Sequence, residues 1–147
     1  MAIHATFNRH ITILPPQWEH DPTLRDNSDW TVAMIAAYTG DITTLPPRWY
    51  HDPDIGNSCG ITVAMFAAGP NDIHRLDKHW YHDPTLCNKD GDTVAMVAAR
   101  RGCVDKLDKH WYHDPGIKNK RGRTVADMYR GRSLSDCWRV KHRCDYI

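Results

Sequence analysis

A 31-residue period constrains this chain more than any other feature of its sequence. Trp18, Trp49, Trp80 and Trp111 recur at that interval with no insertion between them. The same spacing carries His20/His51/His82/His113, Pro22/Pro53/Pro84/Pro115, Leu14/Leu45/Leu76/Leu107 and Thr31/Thr62/Thr93/Thr124. The motif TVAM-x-AA stands at 31–37, 62–68 and 93–99 and decays to TVADMYR at 124–130. A period of this length marks an array whose units bury their apolar faces only against their neighbours. At 41% hydrophobic and 25% charged residues the chain has the composition of an ordinary globular protein rather than a disordered one.

The local chemistry of one unit gives its layout. In TVAMVAARRG, Thr93 offers a hydroxyl to cap the free N–H groups of a helix. The alanines that follow form helix readily and let another helix approach closely. Gly102 supplies the left-handed turn that ends the helix. A second, short helix is expected in the W-x-H-D-P segment. Its start is marked by the exchange of Pro-Pro (15–16, 46–47) for Asp-Lys (77–78, 108–109), since both favour a helix N-terminus. Its end is expected at Asp-Pro, because a residue before proline leaves the helical region. The repeated histidine then falls in its last turn, against unpaired carbonyls. A loop containing Asn and Gly leads to the next threonine.

Helix, turn, helix and Gly-centred loop resemble the ankyrin repeat. NKDGDTVAMVAARRG (88–102) is similar to that family's D-x-x-G-x-T-P-L-H-x-A-A-x-x-G, with Asn88, Val94 and Met96 standing for its Asp, Pro and His. The unit here is two residues shorter than the family's 33, and a PPxWxHDP segment replaces the Leu-rich second helix. The resemblance implies an all-α, ankyrin-like solenoid in a single domain over 1–147. It divides into repeats at about 14–44, 45–75, 76–106 and 107–132, after a partial unit at 1–13. A capping helix is expected over 133–147, with Leu134, Cys137 and Trp138 facing inward.

Several function classes find little support. There is no Gly-rich phosphate loop, no G-x-S-x-G and no H-E-x-x-H, so the chain is expected not to be an enzyme and to need no cofactor. Metal binding is not expected. His79/His82 and His110/His113 share a helical spacing, but Gln17 and Arg48 replace the first histidine in the earlier copies. Cys137, His142 and Cys144 match no common zinc spacing. The tryptophans are expected to pack, each burying about 150–250 Å², with a ligand-stacking row for bases or sugars as the competing reading. No run approaches the roughly 20 apolar residues that span a bilayer, and no signal peptide is evident. Five scattered cysteines without a C-x-x-C pair suggest reduced thiols, hence an intracellular compartment. That reading leaves export by a non-classical route open.

In such an array the periodic residues are scaffold, and function is sought where the units differ. Carried over from the family, the variable face comprises loop tips and helix edges on the concave side. The candidate partner-binding residues are Trp30, Tyr38, Thr39, Cys59 and Ile61 toward one end, then Asp90, Asp92, Arg100, Arg101, Lys120, Arg121, Arg123 and Arg132 toward the other. Charge is graded along the chain: residues 1–99 hold 6 Lys/Arg and 12 Asp/Glu, residues 100–147 hold 13 and 6. The expected function is a protein-binding scaffold with an apolar and a basic end. Alternatives are nucleic-acid or anionic-lipid binding by the basic end, a spacer within a larger protein, and a solvated basic surface with no dedicated partner. The acidic first two thirds argue against a general nucleic-acid binder.

Overall fold

The computed structural model describes residues 20–69 and 72–129. The described residues are helical, with four α-helices among them: α1 (Val32–Thr39), α2 (Val63–Ala68), α3 (Val94–Arg101) and α4 (Val125–Met128). Each starts where the sequence places it. Thr31, Thr62, Thr93 and Thr124 accept the backbone N–H of Met34, Met65, Met96 and Asp127. Gly40 and Gly102, at φ 85° and 75°, end α1 and α3 in the left-handed conformation that a side chain resists. The helices pack in chain order, α1 on α2, α2 on α3 and α3 on α4. The first three are apolar on every side over their first six residues: all of VAMFAA in α2 is buried, as are the first six of α1 and α3, while α4 buries Val125 and Met128 and leaves Asp127 exposed. A helix buried all round needs neighbours on both flanks. Among the described residues there is no strand, only an isolated antiparallel bridge between Cys87 and Thr93.

The second helix differs from expectation. In its place stand two single 3-10 turns per unit: 42–44 and 47–49, 73–75 and 78–80, 104–106 and 109–111. The expected start is correct, with Pro47 at the first position of one turn and Asp77 and Asp108 capping the equivalent two. The expected end is not. Trp80 N–H and Tyr81 N–H donate to the carbonyls of Asp77 and Lys78, three residues back, and the chain then turns extended at Tyr81. Pro84 keeps Asp83 out of the helical region, and extended backbone lets Tyr81 and His82 reach the flanking units.

The repeated histidine accordingly does not sit in a helix C-terminus. It is buried, and it braces the helix cap of the preceding unit. Nε2 of His51, His82 and His113 lies 2.9, 3.0 and 2.8 Å from the hydroxyl of Thr31, Thr62 and Thr93. Nδ1 of each lies 2.9–3.0 Å from the carbonyl of the following aspartate. A carbonyl only accepts, so Nδ1 carries the proton and Nε2 accepts from the threonine. That hydroxyl in turn accepts the helix N–H, which gives a relay of helix amide, threonine, neutral histidine and carbonyl. Burial holds all three histidines below the usual imidazole value of 6.5. One period after His113 the sequence has Cys144, and α4 is capped differently: the Thr124 hydroxyl donates to Asp127, which replaces the methionine of the other helices.

The other members of W-x-H-D-P join one unit to the next. Trp49, Trp80 and Trp111 are fully buried. His51 and Tyr50 lie edge-on to Trp80 at 5.1 Å, and His82 and Tyr81 repeat this on Trp111 at 5.0 and 5.2 Å. Tyr50 also stacks on His79 at 4.6 Å, and Tyr81 on His110 at 4.6 Å. The hydroxyls of Tyr50 and Tyr81 donate to Asp77 and Asp108 of the following unit. These contacts push both phenols up to about 12, through the Asp77 hydrogen bond first for Tyr50 and burial first for Tyr81. His79 donates from Nε2 to the His51 carbonyl, 2.9 Å away, so its pairing with His82 is a matter of spacing only. The partial unit at 1–13 and the cap at 133–147, with Leu134, Cys137 and Trp138, lie outside the described residues.

Candidate functional site

The loops before the helices are built alike. Asp26, Asn57, Asn88 and Asn119 each accept two backbone N–H groups with one side-chain oxygen, those of residues two and four further on. The fourth residue of each loop takes positive φ: Asp29, Gly60, Gly91 and Gly122. Neighbouring loops bond directly, Lys89 N–H to the Cys59 carbonyl and Lys120 N–H to the Asp90 carbonyl, both at 3.0 Å. The closeness needs glycine: a Cβ on Gly91 would stand 2.8 Å from Lys120 N. The loop tips therefore form a fixed row.

Between these tips and the helix ends runs a groove of about 750 Å³. Trp30, Tyr38, Thr39 and Ile61 line one end, and Arg100 and Arg101 the other. Trp30 packs against Phe66 at 4.4 Å and Tyr38 at 5.2 Å, and Tyr38 stays 54% exposed. A smaller hollow of about 120 Å³ adjoins it, bounded by Asp90, Asp92, Arg100, Asn119, Arg121 and Arg123 among others. Arg100 lines both and so joins them.

Ten of the thirteen candidates thus come together around these two spaces. Three do not. The side chains of Cys59 and Lys120 are exposed outside both hollows, their backbones engaged between loops. Arg132 lies outside the described residues. Three of the ten have roles other than expected. Asp92 is 1% exposed, so it presents no surface to a partner; it accepts from Asn119 Nδ2 at 2.7 Å and pairs with Arg100 at 3.3 Å. Arg100 is therefore a partnered cation. Breaking that pair would leave a buried carboxylate uncompensated. Trp30 is half-buried against Phe66 rather than free.

Phe66 and Val97 line the groove and were missed, together with Met65 and Asn88. Phe66 and Val97 occupy the x of TVAM-x-AA, which reads Ile35, Phe66 and Val97. Variation at that one position inside an otherwise constant motif was the available signal. No protein-family model matches the chain, and no curated protein sequence matches it.

Proposed function

We propose that this chain is an ankyrin-like repeat scaffold without catalytic activity, which binds a partner protein along its variable face. The observation that carries the reading is the groove itself. It gathers Trp30, Tyr38, Ile61 and Phe66 at one end and continues past Arg100 to Arg121 and Arg123. Exposed aromatic anchors beside cations characterise protein interfaces, and rigid loop rows suit recognition because little order has to be gained on binding. The recurring polar groups serve the scaffold: Thr, Asn and the Asp of W-x-H-D-P hold the caps and turns of their own unit, and the histidine and tyrosine bond the neighbouring unit, which supports the division of scaffold from contact surface. The solenoid reading rests on the 31-residue period and on helices packing in chain order. An intracellular setting fits the free thiols of Cys59, Cys87 and Cys103. No helix among the described residues is long and apolar enough to cross a membrane.

Binding to nucleic acid or anionic lipid through the basic end is the second reading. It is disfavoured by the exposed Asp90, which interrupts the basic surface, and by a net charge of only +1. Affinity capture from the native host tests both. A protein recovered by the wild-type chain and lost with either Tyr38→Ala or the pair Arg121→Glu/Arg123→Glu supports the scaffold. Recovery unchanged by both variants overturns it. Binding that disappears on nuclease treatment favours the second reading.

A further inference from the structure

The smaller hollow has the construction of a single-anion subsite. Its wall is one hydrogen-bonded unit. Arg100 pairs with buried Asp92, Asp92 accepts from Asn119 Nδ2, and Asn119 Oδ1 accepts the backbone N–H of both Arg121 and Arg123 at 3.0 Å. Asn119 is itself 8% exposed. Two arginines are thereby fixed by their backbones on one rim, while the third is committed to an internal carboxylate. Among the described residues no acidic side chain lies within ion-pair distance of Arg121 or Arg123. The space, about 120 Å³, equals roughly four waters at about 30 Å³ each, enough for one carboxylate or phosphate group and little more.

The neighbouring groove excludes the opposite charge. Its rings stand 4.4 and 5.2 Å apart, in contact with one another, so they form a packed apolar wall rather than a cage open to an ammonium ion. Arg101, also without an acidic partner among the described residues, guards its far side.

We infer that the bound partner is a peptide segment carrying an aliphatic or aromatic side chain in the aromatic groove and one Asp or Glu carboxylate in the hollow between Arg121 and Arg123. The deduction rests on the scaffold reading and gives it a ligand chemistry. A monoanion is selected over a phosphate dianion, because the exposed Asp90 also lines the hollow and opposes the second charge. The aromatic anchors stand in the first two units and Arg121 and Arg123 in the fourth, two to three units apart, on the order of 20–30 Å at packed-helix spacing. An extended peptide covers that in about six to nine residues.

Selection of random 12-residue peptides displayed on phage, against the folded full-length chain, tests this. The expected result is enrichment of an apolar residue about six to nine positions from an Asp or Glu. With Arg121→Glu/Arg123→Glu the acidic preference is lost and the apolar one kept; with Tyr38→Ala the apolar preference is lost. For the best peptide, changing its acidic residue to the amide should weaken binding about tenfold on the wild type, the scale of one charge-assisted hydrogen bond. The same change should have no effect on the Arg121→Glu/Arg123→Glu protein, and phosphoserine should not restore the loss. Far-ultraviolet circular dichroism confirms that each variant folds. Peptides that need Tyr38 yet show no acidic preference overturn the carboxylate subsite and leave the scaffold standing. Rescue by phosphoserine overturns the choice of a monoanion. Selection that enriches nothing, or peptides indifferent to both variants, overturns the scaffold as well.

Discussion

Acid should unfold this protein earlier than its carboxylates alone would, and the cause is the three buried histidines. In the native relay Nε2 of His51, His82 and His113 accepts from a threonine hydroxyl while Nδ1–H is held by a carbonyl. A proton on Nε2 turns that acceptor into a donor and strands the threonine proton. One buried unmade hydrogen bond costs about 1–3 kcal/mol, so the three sites together lose about 3–9 kcal/mol, comparable to the whole stability of a typical domain, about 5–15 kcal/mol. The sign follows from where the protons bind. Burial lowers the native values below 6.5, with Asp52, Asp83 and Asp114 opposing it, so between the two values the unfolded chain holds more protons than the native one. Stability is then fully present above about pH 6.5 and falls as the pH drops through the native values. Each histidine contributes at most about 1.4 kcal/mol per pH unit, and the three about 4. Asp83 and Asp127, exposed carboxylates held below the usual range by Thr85 and Thr124, act only at lower pH. Urea unfolding followed by tryptophan fluorescence, at constant ionic strength from pH 8 to 5, measures this. His82→Gln should remove about a third of the slope. A stability that is flat across that range, or rises toward pH 5, would refute the relay.

Two further predictions concern the scaffold. Trp80→Ala, at a fully buried position capped by Tyr50 and His51, should cost about 3–5 kcal/mol in urea unfolding, and a cost near zero would mean that the indole does not hold adjacent units together. Gly91→Ala and Gly102→Ala share a positive φ, 79° and 75°, but only the first brings a Cβ to 2.8 Å from a neighbouring loop; strain alone costs about 1–2 kcal/mol, so Gly91→Ala should destabilise clearly more than Gly102→Ala, and equal losses would argue against close-packed loops.

The period made the α-helices legible, because the threonine cap is a local signal in every unit and the alanine pair and terminal glycine are local signals in the first three. It also placed ten candidate side chains around the two hollows, since variation against a constant background is visible without a structure. The second segment was misread because its conformation is set from outside. Tyr81 and His82 are extended to meet Trp111 in one neighbour and Thr62 in the other, and no local propensity encodes that. Asp92 was misjudged for a similar reason: its loop-tip position suggests exposure, while Asn119 and Arg100 close over it. The histidine's spacing was plain and its partner was not, because Thr62 and His82 are 20 residues apart.

The claim beneath all of this is that the recurring residues serve the stack and the irregular ones meet the partner. Amide chemical-shift mapping, with a peptide selected on the full-length chain titrated into the labelled protein, tests it most directly. The account predicts shifts grouped at Trp30, Tyr38, Phe66, Arg101, Arg121 and Arg123, with His51, His82, His113 and the Asp-Pro turns unmoved. Shifts centred on the Trp-His-Asp-Pro side, with the groove silent, would contradict it.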